Sequence, residues 1–69
     1  MESYYVIERL RHLVEKEQEL YGLYSELSVL ALDEGLKDML GHYAHEQYEH
    51  LCTMLEKYKC LVDDKRREP

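Results

Sequence analysis

Glu17, Gln47 and His50 interrupt two otherwise apolar stripes, and a carboxylate, an amide carbonyl and an imidazole together can bind a metal ion. Glu17 falls among Leu10, Leu13, Val14, Tyr21, Tyr24, Leu27 and Ala31; Gln47 and His50 fall among Leu36, Leu40, Tyr43, Met54 and Leu61. Polar groups in a core are costly unless they are paired or hold a metal. This donor set suits iron or manganese, with zinc as a further option.

Two helices must bring these residues together. Each stripe repeats every three or four residues, the spacing of one helix face. Ser3 is a suitable N-cap for a first helix over about residues 4–32. Asp33-Glu34-Gly35 forms the turn, with Gly35 expected to take the left-handed conformation that ends many helices. A second helix then covers about residues 36–62, and the charged tail, residues 63–69, is expected to fray. Counted from the turn, Glu17 lies about 17 residues back, while Gln47 and His50 lie about 13 and 16 forward. At ~1.5 Å per residue an antiparallel hairpin sets all three within about one turn of the same height. Gly22 and Gly41 fall inside the helices, where small residues would permit close helix approach.

Residues 1–69 make a single small domain, of a size that seldom builds an adequate core alone. A hairpin leaves both stripes open along one side, so the expected all-α architecture is an antiparallel two-helix hairpin that dimerises into a four-helix bundle. Leu10, Leu13, Leu20, Leu27, Leu30, Leu40, Leu51 and Leu55 supply apolar surface for that assembly. A net charge of −6 argues against nucleic acid as a partner, and the short basic run Lys65-Arg66-Arg67 is flanked by acids. No apolar run approaches a membrane span, and Glu2, Glu8 and Arg9 interrupt any signal peptide. The expectation is therefore a cytoplasmic protein without a membrane partner. Cys52 and Cys60 lack metal-finger spacing and are expected as buried or half-buried thiols. Seven tyrosines, with no Phe or Trp, suit core and interface positions where the hydroxyl finds a partner.

Two-fold pairing would place two copies each of Glu17, Gln47 and His50 in one bundle. Carboxylate-bridged di-iron bundles use one Glu from each of two helices and a Glu-x-x-His pair from each of the others. Gln47-Tyr48-Glu49-His50 has that spacing, with Gln in the Glu position. The run from residue 17 to residue 58 resembles the ferritin-like superfamily, and within it the two-helix encapsulated ferritins, which are related to rubrerythrins. Glu17, Tyr24 seven residues later and His50 33 residues later match that family's intervals. Leu40-Gly41-His42 is similar to its Leu-Ala-His, and Glu46-Gln47-Tyr48-Glu49-His50 to its Glu-Glu-x-Glu-His. The likeness covers about 40 of the 69 residues.

The resemblance implies ferroxidase activity for iron storage or detoxification: Fe(II) is bound between subunits and oxidised to Fe(III). Glu17 and His50 carry over as metal ligands and Tyr24 as a residue beside them, these three forming the catalytic set. Gln47 completes the metal set, with His42, Glu46 and Glu49 as lesser candidates. The partner implied is the chain itself, as a homodimer or larger ring, with an encapsulin shell as the surrounding compartment.

Three departures accompany the likeness. Gln47 stands where a bridging Glu is expected, so two Glu17 carboxylates alone would face the metal charge. One ion per interface is then one solution, and recruitment of Glu46 or Glu49 another. Lys16 and Glu19 flank Glu17 where the family has an acidic pair. No encapsulation peptide is recognisable up to Pro69.

The competing reading is a metal-free structural or adaptor hairpin in which Glu17, Gln47 and His50 form a buried hydrogen-bond network. For the outlying residues, Glu46 and Glu49 suit a solvated flank, and Met39 and Met54 suit core filling. His42, His45 and Glu49 could form a surface metal site. His45-Glu46 lacks the second His four residues on that a zinc protease needs.

Overall fold

The computed structural model describes residues 2–67, which fold as an all-α antiparallel hairpin of α1 (Tyr4–Leu30) and α2 (Glu34–Arg67). Ser3 caps α1 as its sequence position predicts: its Oγ accepts from the Val6 amide at 3.2 Å, and its carbonyl accepts from Ile7 at 3.1 Å.

The turn differs from expectation. α1 ends at Leu30, and Ala31 is extended, its amide still donating to the Leu27 carbonyl at 2.9 Å. Asp33 then caps α2, its Oδ2 accepting from the Leu36 amide at 2.8 Å. Its carbonyl accepts from Lys37 at 2.9 Å. Gly35 therefore lies in the first turn of α2, and no described glycine has a positive φ. The stop reflects the start of the next helix, because an Asp side chain satisfies amides that a helix start leaves unbonded.

α2 also continues through Asp63 and Asp64 to Arg67. Lys65, Arg66 and Arg67 in the last turn complement the negative end of the helix dipole, which favours helix over fraying. Glu68 and Pro69 lie outside the described residues.

The seam between the helices is narrow. Its buried residues are Ile7 and Val14 of α1 and Leu40, Ala44, Gln47 and Leu51 of α2. On α2 the seam runs 40, 44, 47, 51, one position to the side of the stripe expected through Tyr43 and His50, both of which are exposed. Gly22 and Gly41 do not mediate close approach, since a Cβ at either position would meet nothing within 4 Å. Cys52 and Cys60 are exposed rather than buried. Met39 is likewise exposed, whereas Met54 is half-buried.

This hairpin is long and under-covered. It extends 55 × 15 × 13 Å with a radius of gyration of 15.8 Å, against about 11 Å for a compact chain of this length. It exposes 5448 Å², whereas a compact monomer of this mass exposes about 4,600 Å². The surplus of roughly 800 Å² follows from the elongated shape. No helix among the described residues is long and apolar enough to cross a membrane.

Candidate functional site

Two ring pairs mark the two edges of the hairpin. Tyr21 of α1 meets Tyr48 of α2 at 5.6 Å between centroids on one edge. Tyr24 meets Tyr43 at 6.0 Å, nearly edge to face, on the other. Helical spacing stacks Leu20 and Leu27 beside Tyr24, and Leu36 and Met39 beside Tyr43. All four are exposed, as are Leu13, Leu23 and Leu30. The Tyr24–Tyr43 edge is therefore a broad apolar face, and the Tyr21–Tyr48 edge is not.

An open cleft of about 310 Å³ lies on the apolar edge, lined by Tyr24, Tyr43, Glu46, Gln47, Glu49 and His50. Tyr24 and Gln47 reach it from the seam, and His50 stands one turn beyond Gln47 on the same strip of α2. The structure thus gathers five of the sequence candidates around one cavity and adds Tyr43. Its signal lay in the spacing: Tyr43 is four residues before Gln47 and seven before His50.

Glu17 does not line the cleft. It is half-buried in the seam, and its Oε2 is fully buried without a hydrogen-bond partner. Gln47 is 8% exposed, and its Nε2 is likewise buried without a partner. Unmet buried polar atoms cost about 1–3 kcal/mol each, so two of them weigh appreciably on a hairpin of this size.

The lesser candidates pair with one another, and Glu46 and Glu49 line the cleft as well. His42 Nε2 lies 2.9 Å from Glu46 Oε1, and His45 Nε2 lies 2.9 Å from Glu49 Oε1, all four side chains being more than half exposed. These pairs run along the outer surface of α2 at i, i+4, a solvated arrangement of small energetic weight. Lys16 pairs with Glu19 at 3.5 Å, also on the exterior.

Among the described residues no group of three or more His, Cys, Asp or Glu side chains is placed to hold a metal ion. One hairpin offers Glu17, Gln47 and His50 as a partial donor set. A carboxylate oxygen, an amide oxygen and an imidazole nitrogen are chemically acceptable to iron, manganese or zinc. Gln47 faces a cleft on the uncovered face, and Glu17, outside that lining, has a buried oxygen without a partner. These residue types suit such an ion by chemistry, but one hairpin does not gather them into a site. No family model, curated protein or solved structure matches the chain.

Proposed function

We propose that two hairpins pack through the Tyr24–Tyr43 edge into a ferritin-like four-helix bundle that binds Fe(II) between them and oxidises it. The reading is supported by one observation: Gln47 lines a cleft on an uncovered apolar face with its Nε2 buried and unpartnered, while Glu17 buries an unpartnered Oε2 in the seam. Glu17 and His50 would hold iron, Gln47 would supply a neutral amide oxygen, and Tyr24 would fix the wall beside them. Iron is the substrate, each Fe(II) giving one electron to dioxygen or peroxide, which takes up protons and leaves as water. The chain's own residues bind the ion, exclude bulk water through the leucine face and hold its ligands on rigid helices. Storage in a larger ring or an encapsulin shell belongs to the same proposal.

A metal-free scaffold is the second reading, favoured by the complementarity of the two unmet atoms. Glu17 Oε2 is an acceptor and Gln47 Nε2 a donor, so a second copy could satisfy both by hydrogen bonding alone. The deciding experiment purifies the protein without oxygen, adds Fe(II), and measures bound metal together with native mass. Metal-loaded dimers or larger species, followed by oxygen consumption, support the ferroxidase reading. A stable oligomer that takes up no iron, manganese or zinc supports the scaffold.

A further inference from the structure

We infer that the two copies meeting at the Tyr24–Tyr43 edge run antiparallel, the turn of each lying beside the open end of the other. This orientation rests on the pairing through that edge, which the ferroxidase and scaffold readings share, and it needs no bound ion.

Charge is divided unevenly along the hairpin. Contacts of Tyr21 with Tyr48 and of Tyr24 with Tyr43 set the register of the helices. By that register Glu17, the middle residue of α1, stands level with about Leu51 of α2. The level divides the hairpin into a closed half, residues 18–49, and an open half, residues 2–17 and 50–67. The closed half carries seven acidic side chains and one basic, Lys37, whereas the open half carries seven acidic and eight basic. With histidine neutral, their net charges are −6 and +1.

Packed helices lie about 8–10 Å apart, within a Debye length of about 10 Å at 0.1 M salt. Charges on neighbouring copies therefore act on one another. Parallel copies would set two closed halves side by side, each with its full negative charge. Antiparallel copies set each closed half against an open half of opposite net sign, which replaces strong repulsion with weak attraction.

The edge itself repeats this pattern. Glu46 and Glu49 of the closed half line its cleft. Lys57 of the open half lies seven residues beyond His50, which also lines the cleft, so helical spacing puts Lys57 on the same side of α2. Antiparallel hairpins that overlap fully have their two-fold axis at the level of Leu51, with α2 against α2 of the other copy. Glu46 stands five residues to one side of that level and Lys57 six to the other. Each Glu46 thus comes level with Lys57 of the partner subunit to within about one residue, a rise of ~1.5 Å.

The test places a nitroxide spin label at Leu32→Cys in a chain carrying Cys52→Ser and Cys60→Ser, and measures the label-to-label distance in the dimer by double electron–electron resonance. Leu32 is 95% exposed at the turn, so a label there displaces no packed side chain. At ~1.5 Å per residue each turn lies about 22 Å from the level of Glu17, so antiparallel copies should give a distance of about 45 Å. A distance below about 25 Å, as turns side by side on helices about 8–10 Å apart would give, would overturn the antiparallel orientation and leave the pairing through this edge standing. A single-chain native mass at every concentration, in the wild type as in the labelled chain, would overturn both. Lys57→Glu should raise the dimer dissociation constant several-fold at low salt, and Glu46→Lys in the same chain should reverse that rise. A rise undiminished in the double variant would overturn the juxtaposition of Glu46 and Lys57.

Discussion

Glu17 on α1 and Gln47 on α2 carry complementary unmet groups: Oε2 is a buried acceptor without a donor, and Nε2 a buried donor without an acceptor. Both lie in the seam between the helices, Gln47 buried and Glu17 half-buried. A metal-binding role and a packing role make opposite demands on Glu17. Replacing a metal ligand that is unsatisfied without its ion removes a desolvation penalty of about 1–3 kcal/mol. Glu17→Leu should therefore abolish metal uptake while raising metal-free stability by about 1–3 kcal/mol, read from urea unfolding in the presence of a chelator. A loss of stability of similar size would mean that Glu17 is satisfied in the assembled protein, as the scaffold reading holds.

The apolar edge gives a second test. Leu27 is 49% exposed on the hairpin and lies one turn from Tyr24, within the face proposed for the second copy. A glutamate there would meet its own symmetry mate or leucines across the interface, both unfavourable. Leu27→Glu should shift the native mass to that of one chain while helical circular dichroism is retained at high protein concentration. The thermal midpoint of the wild type should also rise with concentration, and that of the variant should not. An unchanged native mass in Leu27→Glu would remove this face from the assembly.

How much of this was legible in the sequence varied with the physics behind each signal. Both helices and the Ser3 cap follow from patterning and local chemistry, which a single sequence carries. The turn falls earlier than Gly35 suggests because Asp33 acts as the start of α2; both residues are common at helix ends. The α2 stripe was displaced because its apolar strip is wide enough for two contacts. Ala44 and Leu51 are buried in the seam, Tyr43 reaches Tyr24 from its edge, and Leu36, Met39 and His50 are exposed. Periodicity shows that a face is apolar without stating which neighbour each residue meets. Glu17, Gln47 and His50 were conspicuous because their polarity broke that pattern, but the pairing of Glu46 and Glu49 with His42 and His45 needed the fold.

The turn chemistry leads to contrasting substitutions. Asp33→Ala removes the 2.8 Å side-chain cap on the Leu36 amide and should cost about 1 kcal/mol. Gly35→Ala places its Cβ 3.4 Å from Asp33 Oδ2, an ordinary contact, in a helical residue without positive φ. It should be neutral or stabilising, whereas a left-handed Gly35 would lose stability on the same change. Denaturant midpoints of the two variants would settle the order. Gly22→Ala and Gly41→Ala have still more room, and each should gain about 1 kcal/mol from helix propensity. Dissociation of the oligomer by either one would place that glycine in the contact between copies.

The opposite edge carries a pH-dependent element. The Tyr48 phenol is raised above its ordinary value of 10.0, first by hydrogen bonding with Cys52 one turn on, then by the charge of the Cys52 thiolate, by slight desolvation and by Tyr21. A raised folded-state value means that the folded protein holds this proton more tightly than the unfolded chain does. The associated stabilisation is complete below the ordinary phenol range and is lost as pH rises through the folded value. Cys52→Ala should therefore lower the Tyr48 midpoint towards 10.0, with Tyr48→Phe identifying that component in an ultraviolet tyrosinate titration. The decline in thermal midpoint at alkaline pH should become shallower in Cys52→Ala as well. An unchanged Tyr48 midpoint would shift the cause to its ring contact with Tyr21, and Tyr21→Leu would then be the substitution that lowers it.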